Sequence, residues 1–140
     1  MLETLTLSCS TSKNLAAFTI SKDGSTLVRR TIKIREEKYN KSHYTKLMYI
    51  MSQALIVARQ VIEDNNTIDQ LYIESSNTIL NGWIVQGVSK ADYTDIFSEL
   101  LRNLDDIPVR YTMVYNDKPK ASMYTQDKHI MYDTVSGLLD

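Results

Sequence analysis

From His43 to Glu63 the apolar side chains fall at Tyr44, Leu47, Met48, Met51, Leu55, Ala58, Val61 and Ile62. Steps of three and four put them on one face of an α-helix of about five or six turns. Ser42 stands just ahead, where a serine hydroxyl caps a helix by accepting a free backbone N–H, and DNNT ends the run. The flanking stretches have another period. Between Leu2 and Ser10, Leu5, Leu7 and Cys9 alternate with Thr4, Thr6 and Ser8, the two-residue repeat of a strand. LAAFTI (Leu15–Ile20) predicts a second strand and TLVRRTIKIR (Thr26–Arg35) a third. Asp23-Gly24 lies between them, a hairpin signal because glycine tolerates positive φ. In the third strand Val28, Arg30, Ile32 and Ile34 share one face, and Arg29, Thr31, Lys33 and Arg35 the other. Ile68–Glu74 predicts the fourth strand and Val109–Tyr115 the fifth. Between them lie a short helix over Asn77–Val85, broken by Gly87, and an amphipathic helix over Lys90–Leu104. NDKPKAS reads as a basic loop, and Tyr124–Leu139 as a final short helix from about Asp127. The order β-β-β-α-β-α-α-β-α predicts an α/β fold: a meander enlarged by crossovers into a five-stranded mixed sheet with helices packed on it.

Composition narrows the class. The 140 residues suit one domain, 1–140, with one core. Hydrophobic residues at 43% and charged residues at 24% supply enough apolar surface to offset the entropy of ordering. A net charge of −1 announces no global attraction to nucleic acid, which leaves only a local basic stripe for that purpose. Cys9 is the only cysteine, so no internal disulfide and no cysteine-based zinc site is expected, and a cytoplasmic setting is. No apolar run approaches the roughly 20 residues of a membrane span, and MLETLTLSCS lacks the basic-then-apolar pattern of a signal peptide. No glycine-rich phosphate loop is present, which speaks against P-loop chemistry.

Several segments resemble the ribonuclease H-like superfamily. YTKLMYIMSQAL is similar to its first helix, which opens on a Glu-Leu pair. IESSNTILNG is similar to its strand-end segment, where an Asp-Ser pair leads into a helix ending near Asn-Gly. ADYTDIFSELLRNLDDIPVRYTMVYND is similar to its last long helix and fifth strand, and MYDTVSGLL to its C-terminal helix. The resemblance implies the ribonuclease H-like sheet. It also implies, for active members, four carboxylates around two divalent ions, normally Mg²⁺, that stabilise the attacking water and the leaving oxygen of a phosphoryl displacement. Hard Mg²⁺ needs oxygen ligands, so the four positions matter one by one. The first belongs in the first strand, where no acidic residue stands between Glu3 and Asp23; Ser8, Cys9 or Ser10 takes the place. The second is taken by Lys46 of Lys46-Leu47. The third is Glu74 if strand ends are aligned and Ser75 if the Asn-Gly ends are. The fourth is Asp133. The family's basic-loop histidine has no match; Lys118 and Lys120 stand there, and His129 comes later.

The expectation is a degenerate, catalytically silent domain with Cys9, Lys46, Glu74 and Asp133 at vestigial positions and no cofactor. It would bind nucleic acid or a protein of a nucleic-acid-processing assembly, as suits a phage or mobile-element protein. Arg29, Arg30, Lys33 and Arg35, joined by Lys118 and Lys120, are the candidate phosphate contacts; in an edge strand the same charges also block sheet-to-sheet aggregation. Tyr39, Tyr44, Tyr111, Tyr115, Tyr124 and Tyr132 are candidates for stacking on bases or anchoring a protein, and Trp83 for the core or a partner surface. Two alternatives stay open. One is a divergent Mg²⁺ nuclease using Glu74 and Asp133, with Asp127 or Asp69. The other is a structural or self-assembling module that pairs edge strands between subunits.

Overall fold

The computed structural model describes residues 3–13 and 15–125. Five strands and three α-helices follow in the order β1 (Glu3–Ser12), β2 (Leu15–Lys22), β3 (Ser25–Lys33), α1 (His43–Glu63), β4 (Ile68–Ser75), α2 (Thr78–Gln86), α3 (Thr94–Asp105) and β5 (Arg110–Tyr115). The sheet order is β3-β2-β1-β4-β5. The meander is antiparallel, and β4 and β5 add in parallel to β1 and to β4. Asp23 and Gly24 close the β2–β3 hairpin with φ of 53° and 79°, the double positive φ of a tight two-residue turn. The predicted C-terminal helix lies outside the described residues.

Helix α1 has the expected bounds. Ser42 Oγ accepts from the Thr45 N–H at 3.2 Å, and Thr45 Oγ1 accepts from the Ser42 N–H at 3.0 Å. Ile50 and Ala54, off the predicted stripe, are fully buried. The helix packs on β1, β2 and α3, so its apolar arc is wider than one interface needs. Asn77 Oδ1 caps α2 by accepting from the Leu80 N–H at 2.9 Å. Gly87 ends α2 with φ 77°, its N–H donating to the Trp83 carbonyl at 2.7 Å. Trp83 is half-buried among rings, stacked on Tyr44 at 5.1 Å and edge-on to Phe97 at 6.4 Å.

Strand alternation gives the sheet two unlike faces. The inner face, under α1, carries Leu5, Leu7 and Cys9 of β1, Phe18 and Ile20 of β2, and Leu71 and Ile73 of β4, all buried in one core. The outer face carries hydroxyls and charges: Thr6 and Ser8, Thr19 and Ser21, Arg29, Thr31 and Lys33, and Glu74. After β5 the chain crosses this outer face, and the described residues close with a short 3-10 turn, Lys120–Thr125, lying on β1, β2 and β3. The predicted basic loop is thus partly a structured strap. Other boundaries shift by a few residues. Strand β3 stops at Lys33, and α3 starts at Thr94 after a short turn over Ala91–Tyr93.

Candidate functional site

The register sets Ser8 beside Glu74, on the two parallel central strands. Both face an open groove of about 330 Å³ on the outer side of the sheet, lined also by Thr6, Thr19, Ser21, Asp23, Gly24, Asn116, Lys118 and Lys120. Ser8 is 1% exposed, and its Oγ accepts from the Ala121 backbone N–H of the strap at 3.0 Å. Lys120 Nζ donates to Ser21 Oγ at 3.3 Å and to the Gly24 carbonyl at 3.4 Å. The Thr31 hydroxyl donates to the Tyr124 carbonyl at 2.9 Å, and the Arg29 guanidinium sits 4.7 Å over the Tyr124 ring. Thr19 Oγ1 is buried without a hydrogen-bond partner among the described residues.

The vestigial positions separate. Cys9 points the other way, into the core, where burial pushes its thiol above the ordinary range and keeps it protonated; among the three candidates in β1 it is Ser8 that stands next to Glu74. Lys46 lies in the first turn of α1, and its ammonium donates to the Lys13 carbonyl in the β1–β2 turn. Ser75 is fully buried, with Oγ accepting from the Asn77 N–H at 3.0 Å. Asp133, Asp127 and His129 lie outside the described residues. Among the described residues no three His, Cys, Asp or Glu side chains gather as a metal site. A hydroxyl engaged with backbone, a cation and one carboxylate are not the oxygen donor set that two Mg²⁺ ions need. No catalytic step through such ions follows from these residues.

The basic candidates also divide. Arg29 and Lys33 lie on the outer face. Arg30 is on the inner face, half-buried, and its Nε is buried without a hydrogen-bond partner among the described residues. Arg35 has left the strand and lines a small pocket of about 160 Å³ with Ile34, Glu36, Tyr39 and Tyr49. Tyr39 and Tyr49 stack there at 4.3 Å, with the Lys38 ammonium 4.8 Å over the Tyr39 ring. Two features escape sequence reasoning. Tyr49 reads as one more helix residue, and only the fold of the Arg35–Lys41 connection brings Tyr39 to it. His43 sits at the helix start and shares a 2.9 Å hydrogen bond between Nδ1 and Thr11 Oγ1. Burial first, and then the charge of Lys46, hold His43 below its usual range.

No known protein-family model matches the chain, and no curated protein matches its sequence. Solved structures do resemble it. RNase H1 from the halophilic archaeon Halobacterium salinarum NRC-1 aligns at a TM-score of 0.58 and 11% identity, covering 94% of this chain and 99% of that one. The N-terminal RNase H domain of a Mycobacterium tuberculosis protein, solved as a fusion with maltose-binding protein, aligns at 0.69 and 6% identity, covering 96% and 99%. LC11-RNase H1 in complex with an RNA/DNA hybrid aligns at 0.55 and 16% identity, covering 86% and 91%. At such identities the likeness carries architecture rather than chemistry. The strand order, the three crossover helices and these alignments converge on one statement: the chain has a ribonuclease H-like fold.

Proposed function

We propose that this ribonuclease H-like domain acts by binding nucleic acid and carries out no two-metal cleavage. The observation behind the reading is what two of the expected ligand positions hold. Ser8 and Lys46 stand where the resemblance calls for carboxylates, and both side chains are held by backbone groups of the chain itself. A lysine ammonium offers no oxygen ligand to a divalent ion and carries the same sign of charge. Binding is supported by the cations along one edge and beside the groove: Arg29 and Lys33 on β3, and Lys118 and Lys120 in the strap. They are local, so they can contact phosphates although the net charge of the chain is −1.

The test is one assay with labelled single-stranded, duplex and RNA–DNA hybrid probes, with and without Mg²⁺ or Mn²⁺, over a salt series. LC11-RNase H1 was solved with a hybrid, which makes the hybrid the first probe. The expected result is binding that weakens steeply with salt and no cleavage. Lys33→Gln should lower the salt slope by roughly one. Metal-dependent cleavage that disappears in Glu74→Gln or Asp133→Asn would overturn the silent reading. Absence of both binding and cleavage would redirect the search to a protein partner.

A further inference from the structure

Among the described residues β5 borders the sheet with no strand beyond it. A bare edge is a template for another strand, and proteins guard it with charges, prolines or bulges. The opposite edge is guarded: β3 carries Arg29 and Lys33, and its register against β2 shifts between Ile20 and Ser21. Strand β5 has none of these devices from Tyr111 to Tyr115, and its pairing with β4 runs without a shift. Its open main-chain groups can be assigned. The Asn116 N–H donates to the Ser75 carbonyl of β4 at 3.2 Å. Main-chain groups turn to alternate sides along a strand. Thr112, Val114 and Asn116 therefore point theirs at β4, and Tyr111, Met113 and Tyr115 point theirs at the open edge. The surroundings are apolar. Tyr111 and Tyr115 are exposed, and so are Ile79 and Val85 of α2, the helix in contact with β5, and Val88 just after it. The other exposed large hydrophobic side chains of the described residues fall one to an element. Apolar exposure concentrated at one place marks an interaction surface.

We propose that β5 pairs antiparallel with β5 of a second copy of this chain, about a two-fold axis at Met113, so that the two sheets join into one. The register follows from the edge. With Met113 opposite itself, Tyr111 falls opposite Tyr115 of the second copy, and Tyr115 opposite Tyr111. Each open residue then exchanges both N–H···O bonds with its opposite, and no open group between Tyr111 and Tyr115 is left over. A pairing centred on Thr112 sets Tyr115 opposite Val109, which lies outside the strand. Opposite residues share a face, so the tyrosines form cross-strand aromatic pairs in both halves. The one charge of β5, Arg110, comes opposite the neutral Asn116, so no like charges meet. The strand is thus its own complement, which selects a second copy over a foreign strand. The inference stands apart from the nucleic-acid reading above.

The test is sedimentation equilibrium over a concentration series, where wild type should reach twice the mass of one chain. Tyr111→Lys with Tyr115→Lys sets like charges opposite each other and should return the monomer. Tyr111→Lys with Tyr115→Glu sets opposite charges together and should restore the dimer. Thermal unfolding of both variants checks that the fold is kept. Single cysteines read the register under mild oxidation, in a chain whose own Cys9 is buried. Met113→Cys should give a disulfide-linked dimer, because opposed residues that exchange hydrogen bonds have Cα atoms about 5.5 Å apart, within disulfide reach. Thr112→Cys and its copy stand diagonally at about 7–8 Å and should not link, nor should Leu27→Cys on β3. If the paired lysines unfold the chain, the cysteine variants decide. A wild type that stays monomeric would overturn the proposal and leave the edge to a strand of another protein. A dimer that survives the paired lysines, that the Lys–Glu variant does not restore, or that links through Thr112→Cys or Leu27→Cys instead of Met113→Cys would overturn β5 as its seam.

Discussion

Single side chains decide the chemistry of this sheet. Ser8 is buried and serves as the acceptor for the Ala121 N–H, 113 residues away. Ser8→Ala leaves that donor unpaired in the interior, at an expected cost of about 1–3 kcal/mol. Urea denaturation with unchanged m-value measures it, and an unchanged midpoint would mean that the strap lifts away and rehydrates. His43 makes a pH prediction. Its folded value lies below 6.5 through burial and the charge of Lys46, so the unfolded chain binds the proton more readily. Stability is therefore lost as pH falls through 6.5 towards the lower folded value, and is flat above that window. Denaturation midpoints taken from about pH 8 to pH 5 should drop less in His43→Gln than in wild type; parallel curves would mean the imidazole is as well solvated folded as unfolded. Alternation along β1 already separates Ser8 from Cys9. It does not say which face carries polar groups from distant segments, because that is set by the strap's return across the sheet.

At the scale of elements, legibility follows the range of the forces. Helix α1 is readable to its ends because its determinants are local: a reciprocal Ser42–Thr45 cap and a three-four apolar rhythm. The Asp23-Gly24 turn and the Gly87 stop are readable because few residues take positive φ without strain. Ile50 and Ala54 lie outside the predicted stripe because α1 packs on α3 as well as on β1 and β2 and so buries a wider arc. Ile50→Ala should accordingly cost about 2–5 kcal/mol, as a core truncation does. Thermal or chemical denaturation checks it, and a loss near zero would place Ile50 on a yielding flank. The 3-10 turn at Lys120 was invisible because distant contacts hold it. Its partners are Ser8, Ser21 and Gly24, and its own sequence reads as a solvated loop.

Across the whole molecule, two opposite faces share one sheet. The inner face is a continuous core under α1, which fixes the fold without specifying a reaction. The outer face holds the hydroxyls, Glu74 and the cations, and there the sequence conveyed residue types but not their grouping. Arg29 and Lys33 remained together, Arg30 turned inward and Arg35 joined a pocket with Tyr39 and Tyr49. The ribonuclease H-like architecture was therefore legible from element order, whereas the site was legible only as a set of departures from four carboxylates.

The strap has one more consequence, in the order of synthesis. Of the described strands, β1, β2 and β3 leave a ribosome first, yet Tyr124, which closes over their outer face, comes 93 positions after Thr31, and Ala121 comes 113 after Ser8. The central strand β1 likewise waits for β4. A nascent chain carrying only the hairpins and α1 has the buried serine and threonine hydroxyls of β1, β2 and β3 still open to solvent. The last described segment to emerge then seals three strands made long before it, so the outer face matures only after that segment has been made.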